Sequence, residues 1–445
     1  MSTGPSVSSP GLADSREICL NWSPVLYLMS ENVSSRFGSQ DTYSQQMSER
    51  SPQIHSVAVI GGAVGGLAAA EGFSKRGFEV DLFERQSYDD KRVNCGEAMT
   101  AVSKIPLSST PTNGFVNALP ELRVEIYDGT ASRRQLTGEG TFPASDTYIT
   151  DRNVVERRWA ERLAEKGVSI HENHQITKAK FRTLADEYDL LVDATGQPSI
   201  TSKIRGRTDE YAGRMIAINA DVEGDFSDLY PNSQIILEGY TGYAWAFSKS
   251  PERANVGIGW TESERPADYM AEFVAACERN GWPMPSRSQT NIAIIPEGPS
   301  LDPALTYLPE WPVVRVGDAA GIANRLTGKG ISQAIQSSYL AAKLTAEGSL
   351  QEYPDRLYRM MKGEYLLARI MRHLVETRQM TVLGDAVQVV SGIDIEDIDR
   401  SPRAVLRRFL GHPRVAARIF SNPAVIKQTY AAVTDAWEYD TIQPV

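Results

Sequence analysis

Residues 57–84 read VAVIGGAVGGLAAAEGFSKRGFEVDLFE. A short apolar run, a glycine cluster, an alanine-rich run and a second apolar run that ends in an acid are typical of a β-α-β nucleotide-binding unit. The glycines let the chain turn sharply, so that free backbone N–H groups at the start of the helix point at a pyrophosphate. Glu84 ends the second strand, where a carboxylate can bind a ribose hydroxyl.

One position departs from the strict G-x-G-x-x-G pattern. Ala63 stands where the second glycine would bring the backbone closest to the pyrophosphate. A glycine-rich turn in another kind of α/β protein is the alternative, but the flanking strand and helix and the acid at the end of the next strand favour nucleotide binding. The predicted cofactor residues of this unit are Gly61, Gly62, Ala63, Gly65, Gly66, Glu84 and Arg85.

The composition limits the kind of protein. The chain has 445 residues, of which 41% are hydrophobic and 23% charged, as in a water-soluble globular protein of two or three domains. A net charge of -10 argues against a general nucleic-acid-binding protein, because phosphate affinity needs a basic surface. Three scattered cysteines predict neither a disulfide framework nor a zinc site and fit a reducing cytoplasm.

Residues 1–54, rich in Ser and Gln, are expected to be a disordered extension, or an over-long start before Met47.

Two more segments resemble ligand-binding turns. A strand predicted at residues 190–192 runs into Asp193-Ala194-Thr195-Gly196. Open α/β sheets bind ligands at the carboxyl ends of their strands, and an acid at that position can contact the ligand. A later apolar strand ends in Gly317-Asp318, and a glycine turn then opens a helix predicted at residues 331–347. Its backbone amides are expected to face a negative or electron-rich group.

The remaining segments suggest a second domain and a helical end. Between residues 204 and 295 the apolar residues alternate in aromatic-bearing strands, which predicts a half-exposed antiparallel sheet with one face free to wall a pocket. Residues 351–445 are expected to be helical. Residues 401–420 carry five arginines and no acid, so they are a candidate for contact with an anionic membrane, or for a terminal helix with solvated arginines.

These motifs together resemble a known superfamily. The combination of the glycine unit, Asp193-Ala194-Thr195-Gly196 and Gly317-Asp318-Ala319-Ala320-Gly321 is similar to FAD-dependent oxidoreductases of the p-hydroxybenzoate hydroxylase type, and most of all to the geranylgeranyl reductase family. Over residues 55–350, four stretches carry the finer match. They are Cys95-Gly96-Glu97, the stretch 242–249 (GYAWAFSK, like Tyr-x-Trp-x-Phe-Pro-Lys) followed by Asn255-Val256-Gly257, and the stretch 317–331 with Asn324 and Leu326.

The resemblance implies an α/β fold in which an FAD-binding Rossmann-like domain holds an inserted antiparallel-sheet substrate domain, followed by a helical C-terminal region. The implied boundaries are 55–203 and 300–350 for the FAD-binding domain, 204–299 for the substrate domain with further strands within about 100–145, and 351–445 for the helical region. The implied activity is reduction of carbon–carbon double bonds in a polyprenyl lipid, with NAD(P)H or another donor supplying electrons. The cysteine count predicts a cytoplasmic location, membrane contact through residues 401–420 is one of the two alternatives given above, and the oligomeric state is left open.

The resemblance also implies residue roles. Glu84 would hold the adenosine ribose, Asp318 the ribityl chain, and Arg152 would lie near the FAD. Further implied cofactor residues are Asp193, Gly317, Gly328, Lys329, Gly330 and Ile331. The implied walls of an apolar prenyl tunnel are Tyr243, Trp245 and Phe247. Reduction needs a hydride at one carbon and a proton at the other.

Two motif residues could handle that proton. Cys95 and Glu97 are the candidate catalytic groups, against the alternatives that Cys95 is a small packing residue and Glu97 caps a turn. Two departures from the family pattern, Ser248 and Arg325 in place of prolines, suggest an altered cavity, and Arg325, if it points inward, would favour a phosphate or carboxylate on the ligand.

Other functions stay open at this stage. A flavin monooxygenase or halogenase acting on an aromatic is one alternative, although hydroxylases of this type usually continue Gly-Asp-Ala-Ala with a histidine where Gly321 stands here. A flavoprotein that modifies another protein is a second. An iron–sulfur dehydrogenase is disfavoured, because three scattered cysteines fall short of four ligands. His171 and His174 lack the HExxH pattern, so no metal site is predicted.

Overall fold

The computed structural model describes residues 54–130, 133–400, 402–423, 425–427 and 430. The expectation for residues 1–54 therefore lies almost entirely outside the described part of the chain. The strands are β1 Ser56–Ile60, β2 Glu79–Phe83, β3 Ala98–Thr100, β4 Phe115–Ala118, β5 Glu121–Thr130, β6 Arg133–Pro143, β7 Thr147–Thr150, β8 Ser169–His171, β9 Leu190–Asp193, β10 Arg214–Glu223, β11 Ser233–Glu238, β12 Gly242–Ser250, β13 Arg253–Thr261, β14 Asn291–Pro296, β15 Tyr307–Leu308 and β16 Val313–Arg315. The helices are α1 Val64–Ser74, α2 Arg152–Glu165, α3 Lys178–Glu187, α4 Ile200–Arg205, α5 Tyr269–Asn280, α6 Ile331–Ala346, α7 Tyr353–Glu376, α8 Met380–Val390, α9 Ile395–Arg400, α10 Pro402–Leu410 and α11 Pro413–Phe420.

The first sheet is the predicted nucleotide-binding sheet. Its six strands lie in the order β15-β16-β9-β1-β2-β8, and all neighbours are parallel except β15 and β16. Helix α1 is buried along most of its length, because its alanines and glycines let α6 pack close against it. A β-carbon on Gly72 would lie 3.0 Å from the Ala342 Cβ. This small-residue face brings the start of α6 beside the start of α1.

The second sheet has seven strands in the order β14-β10-β13-β12-β11-β5-β6. Its pairs are antiparallel except β11 and β5, which run parallel. The alternation of the sequence predicted β10, β11, β12 and β13 correctly, whereas β14 was not predicted as a strand. The expectation of a half-exposed sheet is wrong for β10, β12 and β13. Strands β10, β12 and β13 are buried on both faces, because α5 and its apolar neighbours cover the face turned away from the cavity.

The C-terminal region is helical, as predicted, as far as the structure describes it. Helices α10 and α11 bury Val405, Phe409 and Ile419 against α8, which supports the interpretation of a packed terminal segment. Arg407, Arg408 and several further basic side chains stay exposed on the other side. Among the described residues no helix has both the length and the apolar character needed to cross a membrane.

The α/β fold class inferred from the sequence is confirmed by this architecture. The domain boundaries remain a prediction. A third, smaller sheet has the order β3-β7-β4, and its strand β3 begins directly after Glu97.

Candidate active site

A cavity of about 390 Å³ brings together residues from both large sheets. On one side it is lined by the start of α1, by the loop after β9, and by the turns that precede α6. On the other side lie apolar side chains of β10, β12 and β14. The predicted site residues that line this cavity are Ala63, Gly65, Cys95, Glu97, Arg152, Tyr243, Trp245, Phe247, Gly317, Asp318, Gly328, Lys329, Gly330 and Ile331.

The glycine turn reaches the cavity through its backbone. Helix α1 begins at Val64, and the first N–H groups of a helix have no acceptor within the helix. Ala63, Val64 and Gly65 line the cavity, so these donors face it. Gly61, with φ +103°, makes the turn, and a β-carbon on Gly66 would lie 1.7 Å from the Gly61 carbonyl oxygen. Gly61, Gly62 and Gly66 therefore shape the turn, although they do not line the cavity.

Glu84 is bonded to the chain itself. Its Oε2 accepts hydrogen bonds from Gly62 N at 2.9 Å and from Lys91 Nζ at 2.8 Å, and its Oε1 accepts one from Gln86 N at 3.0 Å. The carboxylate lies beside the glycine turn but outside the cavity lining, and Arg85 is exposed. Since a carboxylate can accept about four hydrogen bonds, a ribose role for Glu84 stays a prediction.

Asp193 points away from the cavity. Its Oδ1 accepts from Thr195 N and its Oδ2 from Thr201 N, at 3.1 Å and 3.0 Å, so the carboxylate organises the start of α4. The cavity is instead lined by Ala194, Thr195 and Gly196. The structure thus gives Asp193 a structural role where direct cofactor contact was expected.

Asp318 is the carboxylate that faces the cavity without a partner. No hydrogen bond from another described residue reaches its side chain, and a β-carbon on Gly330 would lie 3.1 Å from its Oδ1. Burial raises the pKa of Asp318 to about 6, and Arg152 offsets this only in part. Arg152 Nε in turn donates to Glu156 Oε1 at 2.7 Å. An acceptor left open beside helix-start amides fits a polyhydroxyl chain such as the ribityl part of FAD.

Replacing Asp318 with asparagine is expected to stabilise the flavin-free protein at neutral pH. The unfolded carboxyl titrates near about pH 3.9, so above about pH 6 it is charged in both states and only the folded state bears the burial penalty. The gain should be near zero below about pH 4, should grow between about pH 4 and 6, and should level off above that range at up to about 3 kcal/mol. Urea unfolding at several pH values measures this, and a gain that does not change with pH would contradict it.

The wall of the cavity opposite the glycine turns is aromatic. Trp245 is the centre of this wall, and its indole Nε1 donates to Asn255 Oδ1 at 3.0 Å. A β-carbon on Gly257 would lie 2.2 Å from Trp245 Cζ2, so the indole lies against a bare strand. Gly96 approaches the same ring at its nitrogen, because a β-carbon on Gly96 would lie 3.1 Å from the Trp245 Nε1. Gly96 and Gly257, on two different segments, therefore leave the space that the Trp245 ring occupies in the cavity wall.

Tyr243 and Phe247 extend this wall along β12. Their ring centroids lie 5.6 Å and 6.0 Å from that of Trp245. The Tyr243 hydroxyl donates to the Thr327 carbonyl oxygen, and burial raises the pKa of Tyr243 above its ordinary value. This hydrogen bond joins the aromatic wall to the turn before α6.

Cys95 and Glu97 both line the cavity, but in different surroundings. The Cys95 Sγ accepts a hydrogen bond from Glu97 N at 3.2 Å. Glu97 Oε2 is bonded to Lys249 Nζ at 2.5 Å, and its Oε1 accepts from Arg152 N at 2.9 Å. Burial raises the pKa of Glu97, while Lys249 acts in the opposite direction. Glu97 is therefore part of an ionic cluster rather than a simple turn cap.

The two departures from the family pattern do not reach the cavity. Arg325 donates through Nε to the Gly298 carbonyl oxygen at 3.0 Å and lies outside the lining, so the condition under which it would favour a phosphate or carboxylate on the ligand is not met. Ser248 Oγ donates to the Asn232 carbonyl oxygen at 2.5 Å on the opposite side of β12 from Trp245. Neither substitution supplies a charged group to the ligand.

Lys329 shows a further contact that the sequence did not indicate. Its backbone lines the cavity, and its Nζ bonds Glu396 Oε1 at 2.7 Å. Ile395 also lines the cavity. The start of α9 therefore closes one end of the cavity, which extends the site beyond residues 55–350.

Sequence reasoning also missed the partners of Glu97. Lys249 and Asp221 were not predicted as site residues, although Lys249 stands at the lysine position of the stretch 242–249. The spacing of Lys249 was a usable signal for a site residue. Lys249 follows Tyr243, Trp245 and Phe247 at intervals of two residues, and side chains two apart on a strand share a face.

The fold is that of the FAD-dependent oxidoreductases. A geranylgeranyl bacteriochlorophyll reductase-like protein from Thermoplasma acidophilum matches with a TM-score of 0.61, covering 82% of this chain and 99% of that one at 18% identity. A variant of the halogenase PltM in complex with FAD matches with a TM-score of 0.56, covering 76% of this chain and 79% of that one at 12% identity. At these identities the likeness establishes the fold alone.

The sequence is similar in particular to digeranylgeranylglycerophospholipid reductase from Thermoplasma acidophilum. The two are 25% identical over 389 residues, which cover 78% of this chain and 95% of that protein. The protein of the same description from Methanocaldococcus jannaschii is 22% identical over 377 residues, covering 78% of this chain and 93% of that protein. No protein-family model matches the chain. The resemblance to geranylgeranyl reductases is confirmed by these relatives.

Proposed function

We propose that the protein is an FAD-dependent reductase of carbon–carbon double bonds in a polyprenyl lipid. The observation that carries this proposal is a single cavity with helix-start amides and Asp318 on one side and an apolar, aromatic wall on the other. Prenyl chains need an apolar cavity with few polar groups, and Trp245 and its neighbours provide one. The relatives named as digeranylgeranylglycerophospholipid reductases support a geranylgeranyl lipid as the substrate class.

The residues present fit FAD over part of its length. The backbone donors at Val64 and Gly65 would hold the pyrophosphate, Asp318 the ribityl hydroxyls, and the turn at Gly328 and Gly330 the ring. The adenosine end, at Glu84, is less open, because that carboxylate already bonds Lys91. When bound, reduced FAD supplies a hydride. The chain's own part is to place an alkene between the turn and Trp245, to exclude water and to provide a proton.

Two finer points are part of the proposal. NAD(P)H is one candidate electron donor, and it would have to dock transiently, since the sequence has a single dinucleotide-binding fingerprint. Contact with an anionic membrane through residues 401–420 is supported by exposed Leu410 beside Arg407 and Arg414, because apolar and basic side chains together suit an anionic lipid surface.

The test is an anaerobic single turnover. The purified protein is loaded with FAD, reduced with dithionite, and mixed with a geranylgeranyl lipid while the flavin spectrum and the product mass are followed. We expect flavin reoxidation together with a gain of two hydrogens per double bond. A reduced flavin that ignores prenyl lipids and reacts with oxygen would contradict the reductase function and favour the monooxygenase or protein-modifying alternatives.

A further inference from the structure

An ionic cluster centred on the buried Lys249 begins at the cavity wall, and we call it the Lys249 cluster. Its members are Glu97, Asp151, Asp221, Lys249 and Arg253. Lys249 Nζ bonds Glu97 Oε2 at 2.5 Å, Asp221 Oδ2 at 2.6 Å and Asp151 Oδ1 at 3.0 Å. Three carboxylates thus share one ammonium group.

The members differ in their access to water. The Lys249 side chain is 1% exposed, and the Glu97 side chain is 9% exposed and lines the cavity. The Asp221 side chain is 39% exposed and lies outside the cavity lining. The cluster therefore runs from the cavity to the outer surface of the protein through a lysine with almost no contact with water.

The charges of the Lys249 cluster do not cancel. With every member ionised, three carboxylates face two cations, Lys249 and Arg253, which leaves a surplus negative charge. Burying an uncompensated charge is costly, so binding one proton is favoured. Glu97 is the most buried of the three carboxylates, and burial raises its pKa, with Asp221 adding to the effect and Lys249 opposing it. The proton therefore belongs at the cavity end.

We propose that Glu97, Lys249 and Asp221 form a proton path from solvent to the cavity, and that Glu97 donates the proton that double-bond reduction consumes. This inference rests on the proposed reductase function. It assigns a catalytic role to Glu97 and positioning roles to Lys249 and Asp221.

Reduction of one double bond adds a hydride and a proton to its two carbons. When bound, the reduced flavin would supply the hydride, and the proton of the Glu97 carboxyl group would form the second C–H bond, which would leave Glu97 as a carboxylate. A proton taken up from water at Asp221 then shifts along the hydrogen bonds at 2.6 Å and 2.5 Å, and Lys249 is charged before and after. Glu97 is restored for the next double bond.

The first test measures protonation without activity. Infrared spectra of the flavin-free protein across a pH series report the carbonyl band of a protonated carboxyl group. We expect a band that persists above the usual pH range of a glutamic acid and is lost in Glu97→Gln. Because Asp318 also has a raised pKa, the comparison is made in an Asp318→Asn background. A band that is unchanged in Glu97→Gln would overturn the proposal.

The second test uses the anaerobic single turnover with a geranylgeranyl lipid at several pH values. The wild-type rate should fall as pH rises through the pKa of Glu97. Glu97→Gln should lower the rate by about 100-fold or more and remove this pH dependence, as expected for loss of a general acid. Asp221→Asn removes the surplus charge of the Lys249 cluster, so Glu97 ionises more readily and the fall should move to lower pH.

Cys95→Ser is the matched variant for the rival donor in the same cavity, and it should keep the pH dependence. If the cluster had only a structural role, Glu97→Gln and Asp221→Asn would lower the rate without moving the pH at which the rate falls. Loss of the pH dependence in Cys95→Ser alone would show that the Cys95 thiol, not Glu97, donates the proton. If the wild type fails to reduce prenyl lipids, the proposed function fails, whereas the infrared result still decides whether Glu97 holds a proton.

Discussion

Alanine in place of Gly66 is expected to abolish flavin binding and to lower the free energy of unfolding by about 3 kcal/mol or more. The added β-carbon would lie 1.7 Å from the Gly61 carbonyl oxygen and 2.9 Å from the Gly61 carbonyl carbon. Because both are backbone atoms, no side-chain movement can relieve the clash. Either α1 moves away from β1 or the glycine turn opens, and both changes displace the helix-start amides from the cavity.

Gly65→Ala is the matched control for this prediction. It adds the same methyl group one residue earlier in α1, where the nearest atoms would be Ala334 Cβ at 3.4 Å and Val316 Cγ2 at 3.9 Å. These are ordinary contacts, and alanine is the better helix former by about 1 kcal/mol. We therefore expect stability to be kept or improved. Urea unfolding and flavin titration compare the two variants, and equal losses in both would show that the Gly61 contact is not the cause.

The parts of this structure that were predictable are those set by neighbouring residues. The strand, glycine turn and helix of residues 57–84 follow from local rules, and they form as expected. Strands β10, β11, β12 and β13 of the second sheet were equally visible, because alternation is a local pattern. Their burial on both faces was not, since α5 covers one face after an intervening segment of chain.

The site residues divide in the same way. Asp193 has the expected position at a strand end, yet Thr201, eight residues later, captures its carboxylate. Glu97 is bonded to Lys249, which lies 152 residues away, and the 2.5 Å contact joins the loop before β3 of the third sheet to β12 of the second sheet. Motif spacing could place Glu97 at the cavity but could not reveal its partners, because side-chain partners distant in sequence are set by tertiary packing.

Alanine in place of Gly257 is expected to lower turnover of a geranylgeranyl lipid at least about tenfold while leaving flavin affinity unchanged. The new β-carbon would lie 2.2 Å, 2.5 Å and 2.6 Å from three atoms of the Trp245 indole. The ring must therefore move off the strand and into the cavity, where the substrate would lie. A displacement of about 1 Å in a positioned group can cost about 100-fold in rate, so tenfold is a lower bound.

Gly259→Ala provides the control on the same strand. Gly259 itself lines the cavity, and a β-carbon on it would lie 3.5 Å or more from any neighbour, including 3.8 Å from Trp245 Cζ3. Its effect on turnover should be several-fold smaller than that of Gly257→Ala.

Combining Gly257→Ala with Trp245→Phe should restore part of the activity, because a smaller ring can fit beside the methyl group, and this coupling is what a double-mutant cycle measures. Additive losses would mean that Gly257 acts independently of the Trp245 ring, and the aromatic wall would then need another explanation.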